Sequence, residues 1–224
     1  DVSAVAWYLD ESQQLSATPG SGFDEYISDP AKPAPYTNGI FARRNSDYMA
    51  EDQRFVSTRP DVLVYETEPL TNDITLAGNI TADLRVSLSG TDADFIVKLI
   101  DVLPDSSNNP KNAPRGFQMA GYQRLVRAEV MRGKFRNSYE KPDPFEPGKI
   151  TTVKFKLNDV AHTFKKGHKI MVQIQSSWFP LIDRNPQKFM RIPDADESDF
   201  KKITIKILHD REHDSKMILP VLQK

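Results

Sequence analysis

The sequence predicts an all-β protein, a β-sandwich of jelly-roll type with long extended loops. Three observations carry that reading. Apolar and polar residues alternate at period two in several separate runs, proline and glycine punctuate the gaps, and no long amphipathic helical stripe is present. Period-two alternation puts one side of a strand on a core and the other in water, as antiparallel sheets do. Many one-faced strands bury their apolar sides most economically when two sheets pack face to face.

Taken in order, Val5-Ala-Trp-Tyr-Leu9 already reads as a structural segment. The stretch from Ser16 to Arg59 is polar, proline-bearing and poorly periodic. It is expected to be a long extended excursion wrapping a surface, with room for a short helical turn. Leu84, Val86 and Leu88 then alternate with Arg85 and Ser87. The run Asp94–Asp101 is apolar on both faces apart from Lys98, which predicts a central strand or one lying under another layer. Val153, Phe155 and Leu157 alternate with Lys154 and Lys156. Ile170, Val172 and Ile174 are interrupted by Met171 and Gln173, and Ile203, Ile205 and Ile207 alternate with Thr204 and Lys206. Each pattern predicts one face on the core and one in water. Between them lie Pro104-Asp105, Asn108-Asn-Pro110, Pro142-Asp-Pro144, Pro147-Gly148 and Lys166-Gly167. Sixteen prolines and ten glycines suit many short strands joined by turns.

Length and composition narrow the function. A chain of 224 residues fits one large sandwich, so residues 1–224 are read as a single domain. Lys plus Arg (30) nearly cancels Asp plus Glu (31), which leaves no net field to favour nucleic acid or anionic lipid. No apolar run approaches the ~18 residues of a membrane helix. Neither nucleic acid nor a membrane is an expected partner. The absence of cysteine removes disulfides, thiolate metal sites and cysteine nucleophiles. Asp1 stands where an initiator Met would, and structure is expected almost at once, so the chain reads as a piece of a longer or processed polypeptide.

The most informative stretch is Ile174–Gln187. An alternating strand ends in Ser176-Ser177 and runs into Trp178-Phe179-Pro180, followed by Asp183-Arg184-Asn185-Pro186. Each large aromatic carries about 150–250 Å² that wants covering. The domain's own core could take them. The sharper reading makes them the edge of a docking surface, with Asp183 and Arg184 as rim charges and Pro180 and Pro186 as stiffeners. An alternative is a carbohydrate-binding module with Trp7, Tyr8, Trp178 and Phe179 as sugar platforms. Exposed coplanar rings would favour the sugar; a contiguous apolar patch with charged margins would favour docking.

Catalytic chemistry is not evident. A hydrolase elbow needs Gly-x-Ser-x-Gly between strand and helix, and Gly20-Ser-Gly22 has neither the spacing nor the flanks. His209 and His213 have a spacing that binds zinc on a helix, but a solvated hairpin is expected there. His168 is read as a turn residue. Asp92, Asp94, Asp101 and Asp105 could attract calcium, although partners for Arg85 and Arg124, or solvated turns, are preferred. Arg115, Arg124, Arg127, Arg132 and Arg136 read as one polar sheet face, with Arg132 and Arg136 able to reach carboxylates on a neighbouring domain. No cofactor and no metal are expected.

A set of short motifs also occurs in a telling order. They are Trp7-Tyr-Leu9, Tyr26-Ile-Ser-Asp-Pro30, Pro33-Ala-Pro35, Asp52-Gln-Arg-Phe55, Arg59-Pro-Asp-Val-Leu-Val64, Asp92-Ala-Asp-Phe95, Leu99-Ile-Asp-Val102, Pro104-Asp105, Arg132 with Arg136, and Phe164-Lys-Lys-Gly-His168. They end in Ser-Ser-Trp-Phe-Pro and Asp-Arg-Asn-Pro. In this order the chain resembles the C-terminal domain of the X-Pro dipeptidyl-peptidase / cocaine-esterase-like (CocE/NonD) serine hydrolases. It is most similar to the α-amino acid ester hydrolase and glutaryl-acylase branch. The resemblance implies a galactose-binding-domain-like sandwich without catalytic residues, since the family's Ser, Asp and His lie in a preceding α/β-hydrolase domain. It implies that domain as partner within one polypeptide, a second copy of the chain as a further partner, and a bacterial, secreted or periplasmic setting. The role implied is to pack on the catalytic domain and support its architecture, its substrate entrance or oligomerisation.

Overall fold

A computed structural model of the chain describes residues 1–223. Eleven strands make up nearly all of its regular structure: β1 Val2–Leu9, β2 Leu15–Ser16, β3 Phe23–Ser28, β4 Val62–Glu66, β5 Ile74–Leu88, β6 Asp94–Val102, β7 Gln123–Arg132, β8 Thr151–Phe164, β9 Lys169–Gln175, β10 Ile203–Leu208 and β11 Lys216–Leu222. They form a seven-stranded and a four-stranded sheet, packed face to face as the all-β sandwich the sequence predicts.

The long strand β5 is the spine of the larger sheet. Along one edge it pairs with β8, from Ile74–Phe164 to Val86–Thr151. Along the other it pairs first with β11 and then with β10. β11 continues to β1 and β2, and β10 to β3. Both of β5's long ladders shift register near Gly78, whose φ of +125° only glycine adopts without strain. The smaller sheet runs β4-β9-β6-β7, all antiparallel.

The predicted alternation sets the core. Leu84 and Val86 of β5, Val153 and Phe155 of β8, and Ile205 and Ile207 of β10 meet Phe95, Val97 and Leu99 of β6 and Val172 and Ile174 of β9 in one cluster. Lys154, Lys156 and Lys206 stay on the solvent side.

The expectation of one wet face fails for β9, where every residue from Ile170 to Gln175 is buried. The same holds for β6 from Asp94 to Asp101, as its two-faced apolar pattern predicts. The reason is the excursion before β4. Its first part forms the edge strand β3, paired with β10. Its second part, residues 29–59, lies over the outer face of the small sheet. There Ala34 and Val56 pack with Val62, while Tyr36 packs with Ile96 and Trp178. The helical turn within it is the short helix α1, Arg54–Ser57, with a 3₁₀ turn at Ser46–Met49. Among the described residues no helix is long and apolar enough to cross a membrane.

Candidate docking face

The loop after β9 does not stand free. Ala34 donates to Ser177 Oγ at 2.7 Å, Phe179 donates to the Ala34 carbonyl at 2.9 Å, and Tyr36 donates to the Phe179 carbonyl at 3.0 Å. The wrapping segment and the Trp-Phe-Pro loop are therefore stitched side by side by their main chains.

This stitching separates the two aromatics that the sequence groups together. Trp178 is buried, its ring edge-on to Tyr48 with centroids 5.6 Å apart, and Tyr48 stacks in turn near Tyr36 at 5.5 Å. Covered on its face, Trp178 offers no platform to a sugar ring. Phe179, one residue on, is 39% exposed. The structure leaves further apolar side chains exposed that no pattern in the residues marks out. Ile40, Phe41 and Met49 all project from the wrapping segment. A cleft of about 300 Å³ lies between the wrapping segment and the loop after β9, lined by Tyr36, Phe41, Arg43, Arg44, Pro180 and Leu181. Among the described residues Arg43 and Arg44 form no ion pair, though Arg44 lies over the Tyr48 ring at 5.8 Å. An apolar patch with charged margins is the signature of a contact surface rather than of a free one.

Asp183 and Arg184, the expected rim charges, are anchored within the chain. Arg132, at the end of β7, holds Asp183 at 2.5 Å and reaches the buried Asp94 at 3.3 Å. Burial lifts the Asp94 carboxyl to about 6, a rise that the facing Arg132 and Asn185 only partly offset. Arg184 turns the other way, bonding the Pro30 carbonyl at 3.2 Å and Glu197 at 3.1 Å, with its guanidinium over the Phe200 ring.

Beneath this face lies Lys98, the one charged residue in the apolar run of β6. Its side chain is fully buried, with Nζ donating to Gln53 Oε1 at 2.9 Å and sitting 5.1 Å from the centre of the Trp178 ring. Among the described residues no carboxylate approaches within ion-pair distance of it. Burial drives its pKa down from 10.5 to about 7.

The acidic cluster has partners other than those expected. Asp92 accepts from the backbone N–H of Ala93 and Lys134 and from Asn185 Nδ2, while Asp94 shares that amide and Arg132. Arg85 pairs instead with Asp83, and Arg124 is exposed on β7. Asp101 bonds two histidines, His162 Nε2 at 3.0 Å and His168 Nδ1 at 2.7 Å. His168 is thus tied to β6 and not simply to its own turn. Residues 209–215 form the turn between β10 and β11, as expected, but His209 is fully buried beside Asp24 while His213 faces Asp210. Among the described residues no group of three or more His, Asp or Glu side chains is placed to hold a metal ion.

Fold and face together define a β-sandwich module that carries an exposed apolar cleft between its wrapping segment and the loop after β9. The family described as the X-Pro dipeptidyl-peptidase C-terminal non-catalytic domain matches residues 2–218, and the chain belongs to it. The cocaine esterase of Rhodococcus sp. (strain MB1 Bresler) is 32% identical over 235 aligned positions, covering 100% of this chain and 38% of that protein. A crystal structure of an aminopeptidase from the marine sediment archaeon Thaumarchaeota archaeon superposes with a TM-score of 0.91 at 38% identity, over 99% of this chain and 37% of that one. An α-amino acid ester hydrolase superposes with a TM-score of 0.91 at 41% identity, over 98% of this chain and 36% of that one. The chain thus spans little more than a third of the relatives it matches. It corresponds to the domain that its family describes as non-catalytic, and each of these relatives carries further chain beyond the matched part.

Proposed function

We propose that residues 1–224 form one C-terminal domain of a longer serine hydrolase that cleaves acyl, ester or amide bonds. In this reading the domain packs on a preceding α/β-hydrolase domain through the face of Phe179, Ile40, Phe41 and Met49, with Asp183 and Arg184 at the margin. Trp178 supports that face from below. The domain holds the catalytic domain's architecture and forms part of the rim of its substrate entrance. The observation that carries the proposal is Ile40, an isoleucine with no cover among the described residues, next to half-exposed Phe41, which shares a cleft with Pro180 and Leu181 of the loop after β9. Such side chains lower free energy only when something else covers them.

The test compares the chain alone with a longer polypeptide carrying it behind a hydrolase domain. Replacing Ile40 and Phe41 by Ser should leave the melting of the isolated chain nearly unchanged and destabilise the longer protein. Equal effects in both would remove the docking role. Self-association of the isolated chain that disappears in the same variant would assign the face to a second copy instead. The chain alone should hydrolyse p-nitrophenyl acetate no faster than buffer. Turnover blocked by a fluorophosphonate would contradict the non-catalytic assignment.

A further inference from the structure

Two separate stretches of chain make the docking face, the wrapping segment 36–57 and the loop after β9, and one buried side chain touches both. Lys98 Nζ bonds Gln53 of the wrapping segment and lies against the ring of Trp178, whose neighbour is Phe179. Gln53 is itself buried, and it is well placed to transmit the contact. Its N–H donates to the Gln123 carbonyl, its Nε2 bonds the Glu51 carbonyl, and its own carbonyl receives Val56 and Ser57 of α1. Glu51 in turn accepts from Thr37 Oγ1 and the Asn38 N–H, two residues before Ile40. An unpaired buried ammonium is costly, and an apolar side chain would pack the same space without that cost.

We propose that Lys98 is a positioning residue for the docking face, setting the wrapping segment against the loop after β9 through Gln53 and Trp178, and doing so in a proton-dependent way. The groups facing the amine are few. From the wrapping segment come Gln53 and the charge of Glu51, from the loop comes Trp178, and from the flanking strands come its register partners Gln173 on β9 and Ala128 on β7. Glu51 is the one charge among them that acts on the amine appreciably, and it favours the protonated form. The protonated amine grips harder, because a charged donor makes the stronger hydrogen bond and only a cation is drawn to the indole face. The neutral amine keeps the Gln53 bond and loses the pull on Trp178. Because burial brings the exchange between the two forms close to neutrality, the face is set differently on the two sides of that range. The inference takes the importance of the face from the docking reading, but its mechanics concern this chain alone. Its failure would leave that reading standing.

Hydrogen exchange and fluorescence on the isolated chain test it. In Lys98→Met the amides of Gln53, Val56 and Ser57 should exchange about tenfold faster or more, while those of β6 and β9 stay protected. With Trp7 replaced by Phe, so that Trp178 is the remaining indole, emission should titrate near neutral pH in the parent and not in Lys98→Met. Gln53→Glu supplies a carboxylate to the amine, so it should move that titration upward by about one pH unit or more. If Lys98→Met does not fold, Gln53→Leu replaces it for the exchange measurement. Unchanged exchange at residues 53–57, a titration that survives in Lys98→Met, or one unmoved in Gln53→Glu would each overturn the proposal.

Discussion

Tyr36 donates its backbone N–H to the carbonyl of Phe179 at 3.0 Å, and this bond places the most exposed aromatic of the Trp-Phe-Pro loop on a surface shared with the wrapping segment. The Phe179 backbone is fixed on both sides while its ring is left partly bare. Truncating it should therefore cost the chain little. Phe179→Ala in the isolated chain is expected to lose less than about 1 kcal/mol by urea denaturation, as for surface changes generally. In a longer protein with the hydrolase domain in place, the loss should be clearly larger. A loss of the size of a buried Phe, about 3–5 kcal/mol, in the isolated chain would put the ring in the sandwich's own core.

Trp178 should behave in the opposite way. It is buried against Tyr48, Tyr36 and Ile96 within this chain, so its contacts do not depend on a partner. Trp178→Ala is expected to cost about 3–5 kcal/mol in the isolated chain. Near-ultraviolet circular dichroism should report loosened packing around Tyr48. A cost below about 1 kcal/mol would mean that the segment over the small sheet contributes little to the fold.

The buried amine predicts a pH dependence of global stability, distinct from the local effect on residues 53–57. Lys98 has a folded pKa of about 7 against an ordinary 10.5, so between those values the unfolded chain binds the proton more tightly. Stability then rises as pH climbs from about 7 towards 10.5, and the full cost of burying the charge is present below 7. Lys98→Met removes that cost. It should be more stable than the parent by about 1–4 kcal/mol near pH 6, with the gain fading as pH approaches 10. Chemical denaturation at several pH values would show it. A constant difference across the range would mean that the side chain binds its proton as tightly in the fold as in the unfolded chain.

Much of the sandwich is legible in the residues because its strands each turn one side to the core. Leu84-Val86-Leu88, Val153-Phe155-Leu157 and Ile203-Ile205-Ile207 point inward as their alternation requires. Where a third layer covers a sheet, that rule loses its footing. Met171, Gln173 and Gln175 look like the wet face of β9, yet all three are buried. The wrapping segment has no period to announce itself, because its contacts are single anchors such as Ala34, Tyr36, Gln53 and Val56, irregularly spaced. The proposed docking face shows the same division. Ser-Ser-Trp-Phe-Pro is conspicuous as a cluster of aromatics, but which of the two rings is covered depends on Tyr48, a residue far away in sequence. Lys98 does leave a mark, a lone charge in an otherwise apolar run, and that mark is readable without knowing what the lysine touches.

Asp101 provides the last prediction. It is buried on β6 in the small sheet, His162 lies on β8 in the large one, and His168 sits at the turn that joins β8 to β9. One carboxylate thus ties the two sheets together at the end where the chain crosses between them. Each oxygen serves one ring nitrogen, His162 is also held edge-on to Phe164 at 4.8 Å, and the network has little slack. Asp101→Asn keeps the size but replaces one acceptor oxygen by a donor amide. At least one imidazole must then change tautomer or lose its bond. A buried polar group left unsatisfied costs about 1–3 kcal/mol, and a loss of that size is expected by urea denaturation at neutral pH. The double variant Asp101→Asn with His162→Phe should lose less than the sum of the two single changes, because the bond between them is counted in both. Strict additivity would show that His162 and Asp101 do not share their energy, and that the sheets are held together at this end by apolar packing alone.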